Sequence, residues 1–331
     1  MKRKNPFSAQ QFLWKFICLA LAVILAGTLA LTGIFYRFLS QLTDTGDAPF
    51  FSSGFNTQEL QSFVDPGDVN WVQLSTDIRS SKNNVINLLL VGQDRRENEK
   101  NSRADSILLC SFRKDTKELT LTSFLRDLYV PIPGRGSDRI NAAYAYGGSS
   151  LLKQTLTENF AVPLTGVIEV DFSQFSQLID ILGGVEIDLR KDEALLVNKE
   201  TGSNLSEGKQ ILTGAQALSY SRIRKLDADG DFSRTDRQRK VMTALVDGYR
   251  SASIPTLMKL LKQILPMIST DMAESRLLLL ALEVFPMLSD LSMSSQSIPA
   301  PGTYSDKNIN GMAVLVPDMD ALRDLLQKTT R

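Results

Sequence analysis

Charged side chains at the ends of three predicted strands are the first groups in this chain whose types and spacing could do chemistry. Short apolar runs at 85–92, 106–112 and 119–124 predict buried strands. The charged residues beside their ends are Asp94 with Arg96, Arg103 with Asp105, and Arg126 with Asp127. Because ligand crevices of open α/β sheets lie at strand ends, we expect these groups to converge at one edge of the sheet.

A second basic cluster lies farther along the chain, between Ser219 and Lys240. Arg222 and Arg224 are two residues apart, so an extended backbone would point both guanidinium groups to one face. Forked guanidinium donors of this kind bind phosphate groups well.

The helix that follows this cluster is predicted to begin at Asp231. Arg234, Arg237 and Gln238 occupy its first turns at i, i+3 and i+4, so they would share a face. Arginine is unfavourable at the positive end of a helix dipole unless an anion docks there. The alternative is that neighbouring aspartates pair with these arginines, as on most charged surface helices.

Together these residues describe a site for phosphoryl transfer. Asp94 and Asp105 are the natural pair of carboxylates for a hard divalent cation such as Mg²⁺, which binds one or two carboxylates plus phosphate oxygens. Six arginines could neutralise a pyrophosphate: Arg96, Arg103, Arg126, Arg222, Arg224 and Arg234. Catalysis at such a site is mainly positioning and charge stabilisation. The alternative is a set of ordinary surface ion pairs.

Composition excludes several other classes of function. The 331 residues carry 37 basic and 37 acidic side chains. The chain therefore lacks the excess of basic residues that is usual in nucleic-acid-binding proteins. The chain has no histidine, which excludes Ser-His-Asp catalysis and the usual zinc sites. Its two cysteines, Cys18 and Cys110, form no disulfide framework and no thiolate metal motif. A carboxylate is therefore the expected general base.

The N-terminal part of the chain predicts a membrane anchor. Residues 1–15 are polar and basic, and residues 16–37 form an apolar run long enough to cross a bilayer as a helix. The basic flank places the N-terminus in the cytoplasm and the rest of the chain outside the plasma membrane, as a single-pass protein. A cleaved signal peptide is the alternative. Residues 38–84 are predicted to be an extracellular linker, followed by one domain over 85–331.

Strands and helices alternate within that domain, which predicts a three-layer α-β-α fold with a mixed central sheet. Further strands are predicted at 167–170, 185–189, 298–304 and 313–316. Helices are predicted at 141–146, 151–160, 173–182, 213–218, 231–249, 257–264, 276–285 and 319–326. The residues beyond 254 carry no convergent polar groups, so we expect them to act as scaffold.

Seven motifs in order resemble the LytR–CpsA–Psr family of bacterial cell-wall phosphotransferases. The first four are Leu-Leu-Val-Gly-Gln-Asp-Arg-Arg (89–96), Arg-Ala-Asp-Ser (103–106), Ser-Phe-Leu-Arg-Asp (123–127) and Arg-Ile-Asn-Ala-Ala-Tyr-Ala-Tyr-Gly-Gly (139–148). The others are Leu-Gly-Gly-Val-Glu (182–186), Leu-Thr-Gly-Ala-Gln-Ala-Leu-Ser-Tyr-Ser-Arg-Ile-Arg-Lys (212–225) and Gly-Asp-Phe-Ser-Arg-Thr-Asp-Arg-Gln (230–238). Each motif is weak alone, but their shared order and spacing are specific.

The resemblance implies a membrane-anchored extracellular enzyme that takes a glycopolymer from an undecaprenyl-pyrophosphate carrier. Such an enzyme joins the polymer, wall teichoic acid or capsule for example, to a peptidoglycan hydroxyl through a phosphodiester. The resemblance places Mg²⁺, or Mn²⁺ in its place, on Asp94 and Asp105. It assigns the pyrophosphate to Arg103, Arg126, Arg222, Arg224, Arg234 and Gln238, and an assisting carboxylate to Asp231.

Two questions stay open at the level of sequence. The acceptor's proton could pass to Asp231 or to Asp127, with Arg126 beside them as the third catalytic candidate. The chain could also be a non-catalytic protein that binds polyprenyl phosphates or anionic wall polymers. A transcriptional regulator is disfavoured by the predicted anchor and by the lack of a helix-turn-helix pattern.

Overall fold

A computed structural model describes residues 84–93, 104–224, 226–227 and 229–331 of the chain. The predicted anchor at 16–37 and most of the predicted linker lie outside these ranges, as do Asp94, Arg96 and Arg103. None of the helices in the described ranges is both long and apolar enough to cross a membrane.

The described part of the chain alternates strands and helices. The strands are β1 (Val85–Gln93), β2 (Ala104–Arg113), β3 (Glu118–Phe124), β4 (Tyr129–Ile132), β5 (Gly136–Arg139), β6 (Gly166–Asp171), β7 (Val185–Leu189), β8 (Gly208–Leu212), β9 (Ser269–Thr270), β10 (Ser292–Ile298), β11 (Tyr304–Ile309) and β12 (Met312–Pro317). The helices are α1 (Ile140–Phe160), α2 (Phe172–Ile181), α3 (Lys191–Thr201), α4 (Gly214–Ser221), α5 (Asp231–Gly248), α6 (Ile254–Ile264), α7 (Glu274–Val284) and α8 (Met319–Thr330).

Six of the strands form one mixed sheet in the order β10-β3-β2-β1-β6-β9. The pairs β10–β3 and β1–β6 are parallel, whereas β1–β2, β2–β3 and β6–β9 are antiparallel. The mixed central sheet predicted from the sequence is therefore confirmed. Because β2 runs opposite to β1 and β3, its first residues lie at the edge where the other two strands end. This edge is the one expected to carry the site.

The central strands carry apolar side chains on both faces, because successive side chains point to opposite sides of a sheet. Helices cover each face. Leu89 and Val91 of β1 belong to a core cluster that also contains Leu152 of α1 and Leu322 of α8. Ile86, on the opposite face of β1, packs in a cluster with α7 and the segment that leads into β10. A third cluster joins the hairpin β7–β8 to helices α2 to α5 and buries Val241 completely. This cluster holds α5 in place beside the sheet.

Several element boundaries differ from the sequence predictions. The two helices predicted at 141–146 and 151–160 are confirmed as the two parts of α1, which are separated by a kink with non-helical backbone angles at Gly147 and Gly148. The strand predicted at 298–304 is wrong: β10 ends at Ile298, and β11 begins at Tyr304 after a turn. Sequence patterning predicts neither the hairpin β4–β5 nor the elements α3 and β8, all of which the structure contains.

A close contact at Gly214 joins α4 to α2. A Cβ atom at this position would lie 1.9 Å from the backbone oxygen of Ser176. We expect Gly214→Ala to lower the free energy of unfolding by about 1–3 kcal/mol because the two helices must separate. Intrinsic helix propensity alone would give the opposite sign, by up to about 1 kcal/mol.

The free energies of unfolding of Gly214→Ala and Gly248→Ala, measured with denaturant and compared with that of the unchanged chain, test this contact. A Cβ atom at Gly248, the last residue of α5, would meet no atom within 4 Å. We therefore expect Gly248→Ala to be neutral or slightly stabilising. Equal effects of the two substitutions would show that the α2–α4 contact is not tight.

Candidate active site

Arg126 is the centre of a cluster of carboxylates that come from three separate elements. It follows β3 directly, and its Nη1 donates to Asp105 Oδ1 of β2 at 3.3 Å. Its Nε lies 3.6 Å from Asp127 Oδ2 and 3.6 Å from Asp231 Oδ1 at the start of α5. All four side chains are partly exposed, between 19 and 28%. Groups far apart in the sequence thus converge at the predicted edge of the sheet.

Arg234 forms the floor of the cluster. Its side chain is only 2% exposed, and its Nη2 donates to Asp231 Oδ2 at 3.0 Å and to the backbone oxygen of Asp105 at 3.1 Å. Burial lowers the pKa of the Arg234 guanidinium to about 10, although the Asp231 carboxylate acts in the opposite direction. The group therefore stays charged at neutral pH and holds the first turn of α5 against β2.

The remaining predicted ligands fall into two sets. Arg224 Nη2 lies 3.9 Å from Asp105 Oδ1, and Gln238 Oε1 accepts from Ser106 Oγ at 3.0 Å, so both join the cluster. Arg222 instead lies with its guanidinium carbon 4.8 Å from the ring centroid of Phe172, and it has no ion pair within the described ranges. The structure thus separates the two arginines that an extended backbone would have aligned, because Arg222 has helical backbone angles at the end of α4.

Arg237 does not share the site face predicted for it. It is 3% exposed, its Nε donates to Glu193 Oε1 of α3 at 2.9 Å, and its Nη2 donates to Asp227. The hydrogen bond from Arg190, followed by the one from Arg237, lowers the pKa of Asp227. The alternative stated for the sequence, in which aspartates pair with these arginines, therefore describes Arg237. This pairing anchors α5 to α3.

Two further polar residues were not predicted: Arg139, which contacts the cluster, and Tyr144, which lies at the end of β1. Arg139, at the end of β5, donates from Nη1 to Asp127 Oδ1 at 3.1 Å. Tyr144 of α1 places its hydroxyl 2.9 Å from Gln93 Oε1, at the end of β1 next to Asp94. Both lie in the motif at 139–148, which could have indicated them, although neither charge nor periodicity did.

Unsatisfied polar atoms concentrate at this site. Arg126 Nε, Arg139 Nε, Arg234 Nε and Asp231 Oδ1 are buried and have no hydrogen-bond partner within the ranges that the structure describes. Buried polar atoms in native proteins almost always have partners. A cluster of exceptions on cationic and anionic groups is the pattern expected of a site that binds a charged ligand.

Hard oxygen donors are available for a divalent cation, but they are few. Within the described ranges no group of three or more His, Cys, Asp or Glu side chains could hold a metal ion. Mg²⁺ needs only one or two carboxylates when phosphate oxygens and waters complete its shell. Asp105, with 28% of its side chain exposed, fits that donor set, and Asp94 lies outside the described residues.

Comparisons with known proteins agree with this geometry. The LytR_cpsA_psr family model matches residues 56–331. The regulatory protein MsrR of Staphylococcus aureus is 32% identical over 254 residues, which are 73% of this chain and 75% of MsrR. The polyisoprenyl-teichoic acid–peptidoglycan teichoic acid transferase TagU of Bacillus cereus is 38% identical over 171 residues, which are 51% of this chain and 54% of TagU.

A solved structure extends the likeness to the fold. The LytR-CPS2A-psr family protein YwtF (TagT), with bound octaprenyl pyrophosphate lipid, matches with a TM-score of 0.58 and 26% identity. The match covers 75% of this chain and 90% of that protein. On the extent of the family match and the likeness to MsrR, the chain belongs to the LytR–CpsA–Psr family.

Proposed function

We propose that this chain transfers a glycopolymer from an undecaprenyl-pyrophosphate carrier to a hydroxyl of peptidoglycan and forms a phosphodiester link. The observation that carries the proposal is the convergence of Arg126, Arg224 and Arg234 around Asp105 and Asp231. Three cations with unsatisfied N–H groups among them suit a pyrophosphate, and carboxylates beside them suit a proton acceptor. The names of TagU and of the lipid-bound TagT support the same chemistry.

The proposed reaction is a single displacement at phosphorus. The acceptor hydroxyl oxygen attacks the phosphorus that carries the glycan, and a P–O bond to that oxygen forms. The P–O bond to the other half of the pyrophosphate breaks, so polyprenyl phosphate leaves with that electron pair. The hydroxyl proton passes to a carboxylate of the site. Arg126, Arg224 and Arg234 stabilise the negative charge that develops on the leaving phosphate.

Of the two candidate bases, we propose Asp231. One oxygen of Asp127 accepts a hydrogen bond from Arg139 at 3.1 Å. Asp231 accepts from Arg234 Nη2 on Oδ2 at 3.0 Å, and its Oδ1, which has no directed hydrogen bond within the described residues, lies 3.0 Å from the same nitrogen and 3.6 Å from Arg126 Nε. Asp231 therefore contacts both Arg126 and Arg234, two of the arginines proposed to bind the pyrophosphate, which would place it beside the phosphorus that is attacked.

We propose that Mg²⁺ binds at Asp94 and Asp105, with Mn²⁺ as an alternative ion. When bound, the ion would supply positive charge to the pyrophosphate oxygens. We also propose the topology expected from the sequence, with a single membrane anchor at 16–37 and the catalytic domain outside the cell. The reaction requires that topology because peptidoglycan is assembled outside the membrane.

The direct test is transfer by the purified full-length chain in detergent micelles. The donor is a polyprenyl-pyrophosphate-linked teichoic acid precursor, and the acceptor is peptidoglycan strands without attached polymer. Covalent attachment of the glycan and release of polyprenyl phosphate are the expected results. Tight binding of the donor with no transfer would support the non-catalytic alternative. A capsule precursor run in parallel distinguishes the polymer class.

Removal of divalent metal is expected to lower the transfer rate at least about tenfold, since the charge that the ion supplies would be lost. Treatment with a chelator, followed by addition of Mg²⁺ or Mn²⁺, measures this effect. Asp105→Asn should raise the Mg²⁺ concentration that gives half the maximal rate. Full activity after exhaustive chelation would exclude the metal from the reaction.

A further inference from the structure

A cleft of about 580 Å³ lies on the side of α5 that faces away from Asp231. The residues that line it include Phe232 of α5, Ser297 of β10, and Pro301 and Tyr304 beyond that strand. Strand β10 runs parallel beside β3, and the backbone N–H of Leu125 donates to Ile298 O at 2.8 Å. The cleft is therefore adjacent to the turn that carries Arg126.

Phe232 and Tyr304 form an aromatic pair in the lining of the cleft. The rings of Phe232 and Tyr304 are stacked, with centroids 5.7 Å apart and planes inclined by 28°. Both residues remain partly exposed. The negative faces of aromatic rings attract the weakly positive C–H face of a sugar ring. This aromatic pair therefore suits a carbohydrate.

Arg239 supplies unsatisfied donors to the cleft. The residue is 8% exposed, and its Nη2 lies 3.4 Å from Asp236 Oδ1. Its Nε and Nη1 are buried and have no hydrogen-bond partner within the described ranges. Leaving buried charged donors unpaired is costly, so a side-chain rotation that brings this guanidinium to the surface of the cleft would let it bind a carboxylate or carbonyl oxygen of a ligand strongly.

The other charged residues of the cleft indicate which charges its ligand should carry. Three of its cations already have partners: Arg190 and Arg237 pair with Asp227, and Lys240 pairs with Asp236. The exposed carboxylates of Asp188 and Asp229 have no ion-pair partner in the part of the chain that the structure describes. They would repel a polyphosphate chain and attract an amino group. A ligand with both amino and carboxylate groups fits this pattern.

We infer that the cleft binds the acceptor of the reaction, a glycan strand whose peptide substituents carry both amino and carboxylate groups. The inference rests on the proposed function. A sugar ring packs on Phe232 and Tyr304, a carboxylate of the peptide binds Arg239, and an amino group binds Asp188 or Asp229. The strand then reaches the carboxylates beside Arg126 from the side of β10. The lipid-linked donor binds at the arginines and does not occupy the cleft.

The test measures the two substrates separately on the full-length chain in detergent micelles. The acceptor probe is the soluble disaccharide-peptide fragment released from peptidoglycan by a muramidase, and the donor probe is polyprenyl pyrophosphate. We expect Arg239→Gln, Tyr304→Ala and Asp188→Asn each to raise the Kd for the fragment about tenfold or more, which corresponds to about 1.4 kcal/mol. They should raise the KM for the acceptor with little change in kcat or in the Kd for the donor.

Glu186→Gln is the matched control for Asp188→Asn. Glu186 lies two residues earlier on the same exposed face of β7, pairs with Lys209 at 3.1 Å, and does not line the cleft. We expect it to bind the fragment like the unchanged chain. If Arg239→Gln loses stability in a thermal melt, the variants at Tyr304 and Asp188 still decide the matter because both side chains are partly or fully exposed.

The outcomes separate this inference from the proposed function. Fragment binding that is absent from the unchanged chain, or equal in all cleft variants, would overturn the inference while donor binding and transfer stand. If the cleft variants bind the glycan-bearing donor more weakly but bind the fragment as before, the cleft belongs to the donor. That result would also overturn the inference. Failure of the unchanged chain to bind polyprenyl pyrophosphate or to transfer would reject the proposed function, whatever the fragment does.

Discussion

Arg126→Ala is expected to lower the rate of glycopolymer transfer about 10³-fold or more, which is about 4 kcal/mol of transition-state stabilisation. Within the described residues, the guanidinium is the one group that contacts Asp105, Asp127 and Asp231 together. Its loss removes a cation from the leaving phosphate and leaves three carboxylates close together without it. Their mutual repulsion would also disfavour the anionic donor. Transfer kinetics with lipid-linked donor, beside the Kd for polyprenyl pyrophosphate, measure both effects.

Arg113→Ala is the matched control because it removes an arginine from the opposite end of the sheet. Arg113 closes β2, pairs in register with Val85, and donates from Nη2 to Lys328 O at 2.8 Å. We expect this variant to transfer normally. Arg126→Lys should recover only part of the activity, since an ammonium group cannot make the forked contacts of a guanidinium. Normal transfer by Arg126→Ala would remove the main support for the proposed enzyme.

The sheet could be predicted from the sequence because its strands follow one local rule. Runs such as 85–92 and 106–112 are short, apolar and bounded by polar turns, and burial on both faces leaves no competing pattern. Elements that depend on distant partners were harder to predict. Strand β10 (Ser292–Ile298) carries four serines and is held by parallel pairing with β3, which no local pattern reveals. The predicted strand at 298–304 therefore misses all of β10 except Ile298 and lies mostly on the turn between β10 and β11.

The site residues also divide into those that local sequence patterns predict and those that depend on the packing of distant elements. The convergence of Asp105 and Arg126 follows from strand ends, so type and spacing were enough to predict it, whereas Asp231 was assigned to the site only by the resemblance to the family. The orientation of Arg237 was not predictable because it depends on Glu193 of α3, a helix that no sequence pattern predicts. Periodicity places a side chain on a face of a helix, but only the packing of the neighbouring elements decides what that face meets. The cleft beside α5 was not predictable for the same reason, because it depends on how α5, β7 and β10 pack together.

The identity of the general base gives the second large effect. We expect Asp231→Asn to lower kcat by about 10²–10⁴-fold, the contribution usual for a positioned proton acceptor. Asparagine keeps the size of the side chain, and its amide oxygen can still accept from Arg234 Nη2, as Asp231 Oδ2 does at 3.0 Å. The fold and the Kd for the donor should change little. Steady-state transfer kinetics, with thermal melts as a check on folding, provide the measurement.

Asp127→Asn separates the two candidate carboxylates under the same assay. Asp127 accepts from Arg139 at 3.1 Å and lies 3.6 Å from Arg126 Nε, so its contacts orient the arginines. We expect a loss of about tenfold or less, because asparagine can keep one of these contacts through its amide oxygen. A larger loss of kcat in Asp127→Asn than in Asp231→Asn would reverse the assignment. Equal and small losses would mean that neither side chain takes the proton and that the arginines alone account for the rate.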